Sequence, residues 1–300
     1  MSTANSITTA FRQQFHDTFI QALNQRQSYF GNTVVNRGMI DGSSFTVNNL
    51  GTNEAREVTG RYQDKAAQDI GHATRLAYMA DYDFGPYVVD AFDLPKLAAD
   101  PTYKYLELGL GAVERQKDRI IYNALLGSAL ERTVEGGSLT SVALPAGQQI
   151  AAGGTGLSRA KVIQAKSLFR RNKADSRYES GTKLYIAYDS NAVRQILSDT
   201  TLTSADFLAA RMLENGEVVN WCGFEWIPYE DLTVPAANTA RTVAWSSTAL
   251  HYGTGMNVKT DISENKAKRG HPMEVYGAFS LGAVRQDEKK VVQIDFATNV

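Results

Sequence analysis

The four histidines and the one cysteine of this 300-residue chain are the side chains best suited to bind a metal or act as a nucleophile. No two histidines have the spacing of metal ligands, so we expect no metal site. Cys222 follows Trp221 in an apolar run, and no adjacent histidine or cation would lower the pKa of its thiol. We therefore interpret the cysteine as a small buried residue. The histidines are His16, His72, His251 and His271.

A glycine-rich segment, residues 153–156 with the sequence GGTG, superficially resembles a phosphate-binding loop. It lacks the Lys-Ser/Thr pair of a P-loop and the full spacing of a dinucleotide fingerprint, and no clear strand precedes it. We interpret it as a flexible linker. No arrangement of side chains indicates catalysis, so we expect no catalytic residue and no cofactor. A cytosolic α/β enzyme with a Gly-rich ligand loop stays open as an alternative.

Composition places the chain among folded globular proteins. Hydrophobic residues make up 43% and charged residues 21%, which excludes a disordered chain. The 31 basic and 32 acidic residues give a net charge of -1, so no global charge drives binding to nucleic acid or to an anionic membrane. No run of about 18 apolar residues predicts a transmembrane helix, and residues 1–10 do not resemble a secretory signal. We expect a soluble protein of cytosolic origin.

The first segment carries apolar residues at intervals of four, which predicts an amphipathic helix within residues 2–29. The stripe consists of Phe11, Phe15, Phe19 and Leu23, and Gly31 follows as a helix stop. Such a stripe covers either the core of its own subunit or a neighbouring subunit, and both interpretations stay open.

In residues 33–82 the apolar residues no longer recur at helical spacing. Phe45 and Val47 alternate with polar residues and predict a short strand, whereas Val58 and Tyr62 mark a second, weaker strand. The segment beyond them is rich in charged and amide side chains. Because a two-stranded hairpin is marginal in water, we expect this one to lie on its own domain or on another subunit.

A long helix is predicted between Asp100 and Gly127. Asp100 suits the N-cap, Pro101 suits the first helical position and Gly127 ends the helix. At 1.5 Å per residue the helix is about 40 Å long, and we interpret it as a structural beam. Residues 135–156, rich in Gly, Ser and Ala, mark the boundary between subdomains.

The second half of the chain mixes helices with strands. We predict helices at residues 159–172, 190–198 and 204–214, strands at 183–188 and 242–246, and a strand pair at 218–229. The C-terminal residues alternate between apolar and polar or small side chains at 273–281 and again at 292–296. We predict that these two runs, joined by a turn at 286–289, form a closing β-hairpin.

Four stretches of sequence carry a resemblance to a known family. They are KDRIIYNALLG at residues 117–127 with DAFDLP at 90–95, LTSADF at 202–207, WCGFEW at 221–226, and GAFSLGAVR at 277–285 with VVQID at 291–295. Together with the order of the predicted elements, from about residue 11 to residue 296, they resemble the major capsid proteins of tailed bacteriophages.

The resemblance implies an α+β phage major capsid (Johnson) fold with an N-terminal arm, an extended β-hairpin loop, a long spine helix, and peripheral and axial domains. It implies the arm at residues 1–32, the loop at 33–82, the peripheral domain with the spine helix at 83–156, the axial domain at 157–268, and a C-terminal β-hairpin returning to the peripheral domain at 269–300.

By the same resemblance the chain is not an enzyme, and it self-assembles into pentamers and hexamers that form an icosahedral shell around the viral DNA genome. The implied partners are other copies of the chain, a separate scaffolding protein, a portal, and packaged double-stranded DNA in non-specific contact with the inner surface. No membrane partner is implied, and assembly takes place in the host cytoplasm. A non-viral shell protein of the same fold, such as an encapsulin, stays open as an alternative.

Two surfaces are candidates for contact between subunits. One is the apolar stripe of the arm, and the other is the tip of the extended loop. Residues 41–80 hold five acidic and four basic residues, a balance that suits complementary pairs between copies. The candidate residues are Phe11, Phe15, Phe19, Arg61, Asp64, Lys65 and Asp69.

Overall fold

A computed structural model describes residues 25–57, 60, 67, 70–90, 102–198 and 220–299. Several predicted features lie outside these residues: the arm stripe, the weaker strand at Val58 and Tyr62, the Asp100–Pro101 start of the long helix, and the helix at 204–214. Among the described helices, none is both long enough and apolar enough to span a membrane.

The described residues contain three α-helices and fifteen strands. The helices are α1 (Thr102–Leu126), α2 (Arg159–Arg171) and α3 (Ser190–Ser198). The strands are β1 (Val35–Met39), β2 (Ser44–Leu50), β3 (His72–Tyr78), β4 (Ala80–Val89), β5 (Ala129–Arg132), β6 (Thr140–Val142), β7 (Gln149–Ile150), β8 (Leu184–Tyr188), β9 (Asn220–Trp221), β10 (Phe224–Pro228), β11 (Thr233–Ala236), β12 (Thr239–Ser246), β13 (Leu250–Glu264), β14 (Met273–Arg285) and β15 (Val291–Ala297).

The first sheet has seven strands in the order β7-β15-β12-β8-β10-β9, with β11 paired to β12. β8 runs parallel to β10, and β12 runs antiparallel to β8 and β15. All five residues of β8 are buried, as expected for a central strand. The largest hydrophobic cluster belongs to this sheet and includes Phe169, Phe224 and Trp245. The predicted α2, β8, α3, β9–β10 pair and β12 are all confirmed.

The second sheet has the order β1-β13-β14-β4 and packs against α1. The ring of Phe84 on β4 lies between Gly109 of α1 and Gly277 of β14. A Cβ added at either glycine would come within about 2.3 Å of the Phe84 ring, so glycine is what lets helix and sheet approach this closely. α1 ends at Leu126, directly before Gly127, as the sequence predicts. Its 25 residues span about 38 Å.

The third sheet has the order β2-β3-β5-β6 and forms the base of the predicted extended loop. The strand predicted around Phe45 and Val47 is β2, and it pairs antiparallel with β3. The expectation of a two-stranded hairpin is wrong at this base, because β5 and β6 extend the sheet to four strands. Phe45 and Val47 are buried with Ala77, Ala129 and Val284, so the base packs on its own subunit.

The predicted closing β-hairpin is wrong. β14 pairs with β13 and β4 in the second sheet, whereas β15 pairs with β12 and β7 in the first. Both strands have the predicted alternation, but alternation fixes which face is buried and does not identify the partner strand. The connection between them contains a 3-10 turn at Glu288–Lys290 and carries the chain from one sheet to the other.

β13 is an element that the sequence did not predict. Most of its residues after Thr254 are exposed, so its sequence lacks the alternation that marks a half-buried strand. It falls within residues 157–268, the predicted axial segment, and it pairs with β1 and β14 in the second sheet. The division of the chain into domains stays a prediction.

Candidate inter-subunit surface

The glycine-rich loop at residues 153–156 is a turn held by hydrogen bonds and not a flexible linker. A short strand, β7, does precede it. The ammonium group of Lys161 lies inside the turn and donates hydrogen bonds to the carbonyl oxygens of Ala152 (2.7 Å), Thr155 (2.9 Å) and Asp295 (3.0 Å). Burial lowers the pKa of Lys161, and nearby Asp295 opposes that shift.

Two backbone N–H groups in and directly after this turn also have partners inside the subunit. The N–H of Leu157 donates to Gln195 Oε1 at 2.7 Å, and the N–H of Thr155 donates to the Ala152 carbonyl at 3.0 Å. A phosphate cradle needs free N–H groups that point at the ligand. The loop therefore serves to join α2 to the edge of the first sheet.

Cys222 lies in the two-residue turn between β9 and β10, where both Cys222 (φ 53°) and Gly223 (φ 76°) adopt positive φ. The thiol is half-buried, and burial raises its pKa, which is the opposite of what a nucleophile needs. His251 lies at the start of β13 and His271 in the turn after its end. The described residues contain no group of three or more potential ligands that could hold a metal ion.

The first described residues are held against α1 by one buried carboxylate, Asp118. It accepts hydrogen bonds from Gln25 Nε2 (2.5 Å), Ser28 Oγ (2.5 Å), and the N–H groups of Tyr29 (3.0 Å) and Phe30 (3.1 Å). A carboxylate carries enough lone pairs to accept all four hydrogen bonds. Residues 25–30, which we call the arm root, are thereby fixed to the side of the long helix.

Phe30 anchors the end of the arm root in the main core. Its ring is fully buried and lies 4.8 Å from the ring of Tyr229 and 5.2 Å from that of Trp245. Towards the N-terminus, the Arg115 guanidinium donates to the Gln25 carbonyl at 2.8 Å. The arm root therefore runs from the side of α1 at Gln25 to the main core at Phe30.

A charged junction fixes the base of the extended loop. Arg75 of β3 is buried and forms ion pairs with Glu131 of β5 (2.7 Å) and with Glu288 (2.9 Å). Glu288 also pairs with Arg285 at the end of β14, at 3.3 Å. The four side chains link the third sheet to the connection between β14 and β15.

Arg285 extends this junction to the end of the long helix. Its fully buried guanidinium donates to the carbonyl oxygens of Leu125 (2.8 Å), Gly127 (2.6 Å) and Val142 (3.1 Å). The last carbonyls of a helix have no partner within the helix, and a cation there also interacts favourably with the helix dipole. The loop base, the helix end and both large sheets therefore meet at one point.

Beyond this base, the described part of the loop makes little contact with its own subunit. Every residue from 50 to 57 is exposed, and Leu50 retains 71% of its accessible surface. A strand end of this kind, without a core behind it, is a candidate surface for contact with another molecule.

The seven residues predicted from the sequence as inter-subunit contacts lie outside the described residues: Phe11, Phe15, Phe19, Arg61, Asp64, Lys65 and Asp69. The structure instead describes the segments from which they extend, the arm root and the loop base. Sequence reasoning missed the residues that hold these segments. Asp118 carried a signal, because it lies three, four and seven positions before the apolar residues Ile121, Tyr122 and Leu125 and so shares their buried face.

Comparisons with known proteins agree on one family and one fold. A family model described as phage capsid protein matches residues 7–298. No curated protein sequence matches the chain. Among solved structures, the capsid of the cyanophage P-SCSP1u has a TM-score of 0.69 at 13% identity and covers 98% of this chain and 95% of its own.

Two further structures show the same likeness. That of Mycobacterium phage Che8 has a TM-score of 0.68 at 14% identity, with 98% of both chains covered. The head of Helicobacter pylori bacteriophage KHP40 has a TM-score of 0.70 at 12% identity, with 100% of both chains covered. At identities this low, the structural likeness establishes the fold alone, and the α+β capsid fold expected from the sequence is confirmed. Because the family model spans nearly the whole chain, this protein belongs to the phage capsid protein family.

Proposed function

We propose that this chain is the major capsid protein of a tailed bacteriophage and that its pentamers and hexamers close an icosahedral shell around double-stranded DNA. As a phage capsid protein it is a structural protein of the virion and not an enzyme. The observation that carries the proposal for its assembly is the extended loop, whose base is fixed by buried ion pairs while residues 50–57 are exposed.

The mechanism is geometric. Identical contacts repeated between subunits form a closed shell when the successive rotations from one subunit to the next return to the first subunit. Each contact can be weak because it recurs around every ring. The Arg75–Glu131–Glu288–Arg285 junction supports this role, because a loop fixed at its base by buried charges presents its distal part at a defined angle. Small hinge changes between pentamer and hexamer positions then fit one chain to both environments.

Two connectors join neighbouring subunits in this proposal. The arm stripe of Phe11, Phe15 and Phe19 packs on an apolar surface of a neighbour, since burying each large side chain contributes roughly 1.5–3 kcal/mol. The loop tip meets a neighbour through complementary charges.

Further partners follow from the shell itself. A separate scaffolding protein guides closure, a portal occupies one vertex, and the DNA touches the inner surface without sequence preference. A net charge of -1 suits DNA contact that is non-specific and weak. Each subunit of the shell consists of the predicted arm, loop, peripheral and axial segments. Assembly takes place in the host cytoplasm.

Negative-stain images of the purified chain, taken across protein concentration and ionic strength, test this function. We expect closed particles of uniform diameter, and particles from expressing cells should contain nucleic acid and no enzyme cargo. A chain that remains monomeric under all conditions, and also when it is coexpressed with the scaffolding protein, would contradict the proposal. Particles filled with an enzyme would favour an encapsulin-like compartment.

A further inference from the structure

The distal half of β13 has an open edge. On one side β13 pairs with β14 along its length, and on the other side β1 reaches only as far as Thr254. Among the described residues, no strand pairs with the second edge of β13 from Met256 to its end. Residues 257–261 are all exposed. From Lys259 to Glu264 the register with β14 is regular, so this part is well-formed strand, and the N–H and C=O groups of its second edge pair with no described strand.

The other outer strand of this sheet, β4, is protected against edge pairing. It contains Pro86, which has no N–H to donate, and the exposed acids Asp81 and Asp83. Such features block the addition of another strand. The open edge of β13 contains no proline, and its charges are of both signs.

The sequence of this open edge is self-complementary. Residues 257–263 read NVKTDIS. When two copies pair antiparallel with Thr260 opposite Thr260 of the second copy, Lys259 lies opposite Asp261 of the second copy, and Asp261 lies opposite its Lys259. Both charge pairs lie on one face of the joined sheet, since residues two apart share a face. Opposite charges and Thr–Thr pairs in these positions stabilise antiparallel strands.

The charges also exclude the neighbouring registers. If the two-fold centre of the pair moves from Thr260 to Asp261, Asp261 lies opposite Asp261 of the second copy. If the centre moves to Lys259, Lys259 lies opposite Lys259 of the second copy. Like charges directly opposite each other destabilise a strand pair. The pattern therefore specifies one register and disfavours those next to it.

Both charged groups are available for a partner. Lys259 and Asp261 are exposed, and neither forms an ion pair within the described part of the chain. Asp261 accepts one hydrogen bond, from Ser263 Oγ on its own strand at 2.8 Å. If Lys259 and Asp261 served to stabilise their own subunit, each would have an oppositely charged side chain of that subunit nearby.

We propose that β13 of one subunit pairs antiparallel with β13 of a neighbouring subunit across a two-fold axis, centred on Thr260. This inference rests on the proposed shell function, because a closed shell of rings brings subunits of adjacent rings together in two-fold pairs. The contact is isologous, since each strand gives and receives the same pairs. It buries much less than the roughly 1,200 Å² of a stable complex, so free subunits remain monomeric and the pair forms only within the shell.

A charge-swap cycle tests the pairing. Lys259→Asp puts like charges opposite each other at both contacts, and so does Asp261→Lys. We expect either single variant to raise the concentration needed for assembly roughly tenfold while the melting temperature of the free subunit stays unchanged. The double variant Lys259→Asp/Asp261→Lys restores both pairs and should assemble like the native chain. Single variants that assemble normally, or a double variant no better than they are, would overturn the inference.

Cross-linking tests the register directly. Cα atoms directly opposite in antiparallel strands lie about 4.5–5.5 Å apart, within the range of a disulfide. In a Cys222→Ser background, Thr260→Cys particles should therefore yield covalent dimers on mild oxidation. Ser263→Cys is the matched control, because Ser263 and its copy lie six residues apart along the strands, roughly 20 Å, and should not cross-link.

The outcomes distinguish this inference from the proposed function. If the native chain forms particles but particles of the Thr260→Cys variant give no covalent dimer, the strand pairing is overturned and the shell function stays intact. A native chain that forms no particles, with or without the scaffolding protein, overturns both. Dimers from Thr260→Cys in particles, with none from Ser263→Cys, support the pairing and its register.

Discussion

Asp118 shows how one residue determines where an extended segment begins. It is buried within the apolar face of α1, and its carboxylate accepts four hydrogen bonds from the arm root. A charge in this position is stable only because every lone pair faces a donor. The same helix thereby packs on the core and holds the start of the arm.

Replacing Asp118 with Asn should destabilise the subunit by about 2–3 kcal/mol, because the amide presents an N–H₂ group where the carboxylate accepted hydrogen bonds. The melting temperature should fall by about 5 °C or more, and limited proteolysis should cut within residues 25–31. Glu114→Gln, the same change one turn earlier on α1, is the matched control and should have little effect. Equal melting curves for the two variants would show that Asp118 does not hold the arm root.

His251 gives a pH dependence with a defined sign. Its Nδ1 accepts a hydrogen bond from Arg37 Nε at 3.1 Å, and burial together with the Arg37 charge lowers the pKa of the imidazole. The folded state therefore favours the neutral ring. Above the unfolded pKa of about 6.5 neither state binds the proton. Below it the unfolded state gains the proton first, so stability is lost as the pH falls towards the folded pKa.

His251→Asn keeps an acceptor for Arg37 and removes the titration. Between pH 7.5 and pH 5, the stability of the native chain should fall more steeply than that of the variant, by up to about 1.4 kcal/mol per pH unit. Chemical unfolding at each pH measures the difference. His72→Asn, at an exposed position of β3, is the matched control. Parallel curves for the native chain and His251→Asn would contradict a buried neutral His251.

At the scale of elements, we expect the arm root and the arm to have separate roles. Deleting residues 2–24 keeps Asp118 and Phe30 with all their described partners. The truncated chain should melt cooperatively near the native temperature and assemble in lower yield. Deleting residues 2–31 removes Phe30 and should cost about 3–5 kcal/mol. If the shorter deletion already prevents folding, the Phe11, Phe15 and Phe19 stripe belongs to the core of its own subunit.

The loop tip should act through charge. Reversing Arg61 and Lys65 to Glu should leave the melting temperature of the subunit nearly unchanged and impair assembly. Single exposed pairs contribute only about 0–1 kcal/mol, but the contact recurs around every ring. The defect should also vary with salt, since such pairs are screened over about 8 Å at physiological ionic strength.

Arg171→Glu/Arg177→Glu changes the net charge by the same amount at exposed positions elsewhere and is the control. A tip variant that assembles like this control at low and high salt would mean that the tip makes no contact between subunits.

The sequence predicted elements better than their pairing. The end of α1 and the bounds of α3 follow from local signals, helical spacing and Gly127, and local signals are what a sequence displays. β13 was missed because its exposed half lacks alternation. The partners of β14 and β15 were missed because pairing is decided by contacts distant in sequence. The roles of Asp118 and Arg285 were missed because their buried hydrogen-bond partners come from other elements.

At the scale of the whole molecule, the buried apolar residues are distributed unevenly. Among the described residues, the first sheet has a large core, whereas the loop sheet buries a cluster of five residues and the interface of α1 with the second sheet buries a cluster of four. Clusters of this size stabilise a sheet only weakly. The loop base depends on the buried charges of Arg75 and Arg285 in the free subunit and, in our proposal, on neighbours in the shell.

A cryo-EM reconstruction of particles assembled from the native chain tests the central claim most directly. We predict closed icosahedral shells of pentamers and hexamers in which residues 50–71 of each subunit lie across the adjacent subunit of the same ring, with the base of the loop held as described by Arg75 and Arg285. Shells in which this segment folds back onto its own subunit would contradict the role of the loop. The absence of closed particles at every concentration and ionic strength, with and without the scaffolding protein, would contradict the account as a whole.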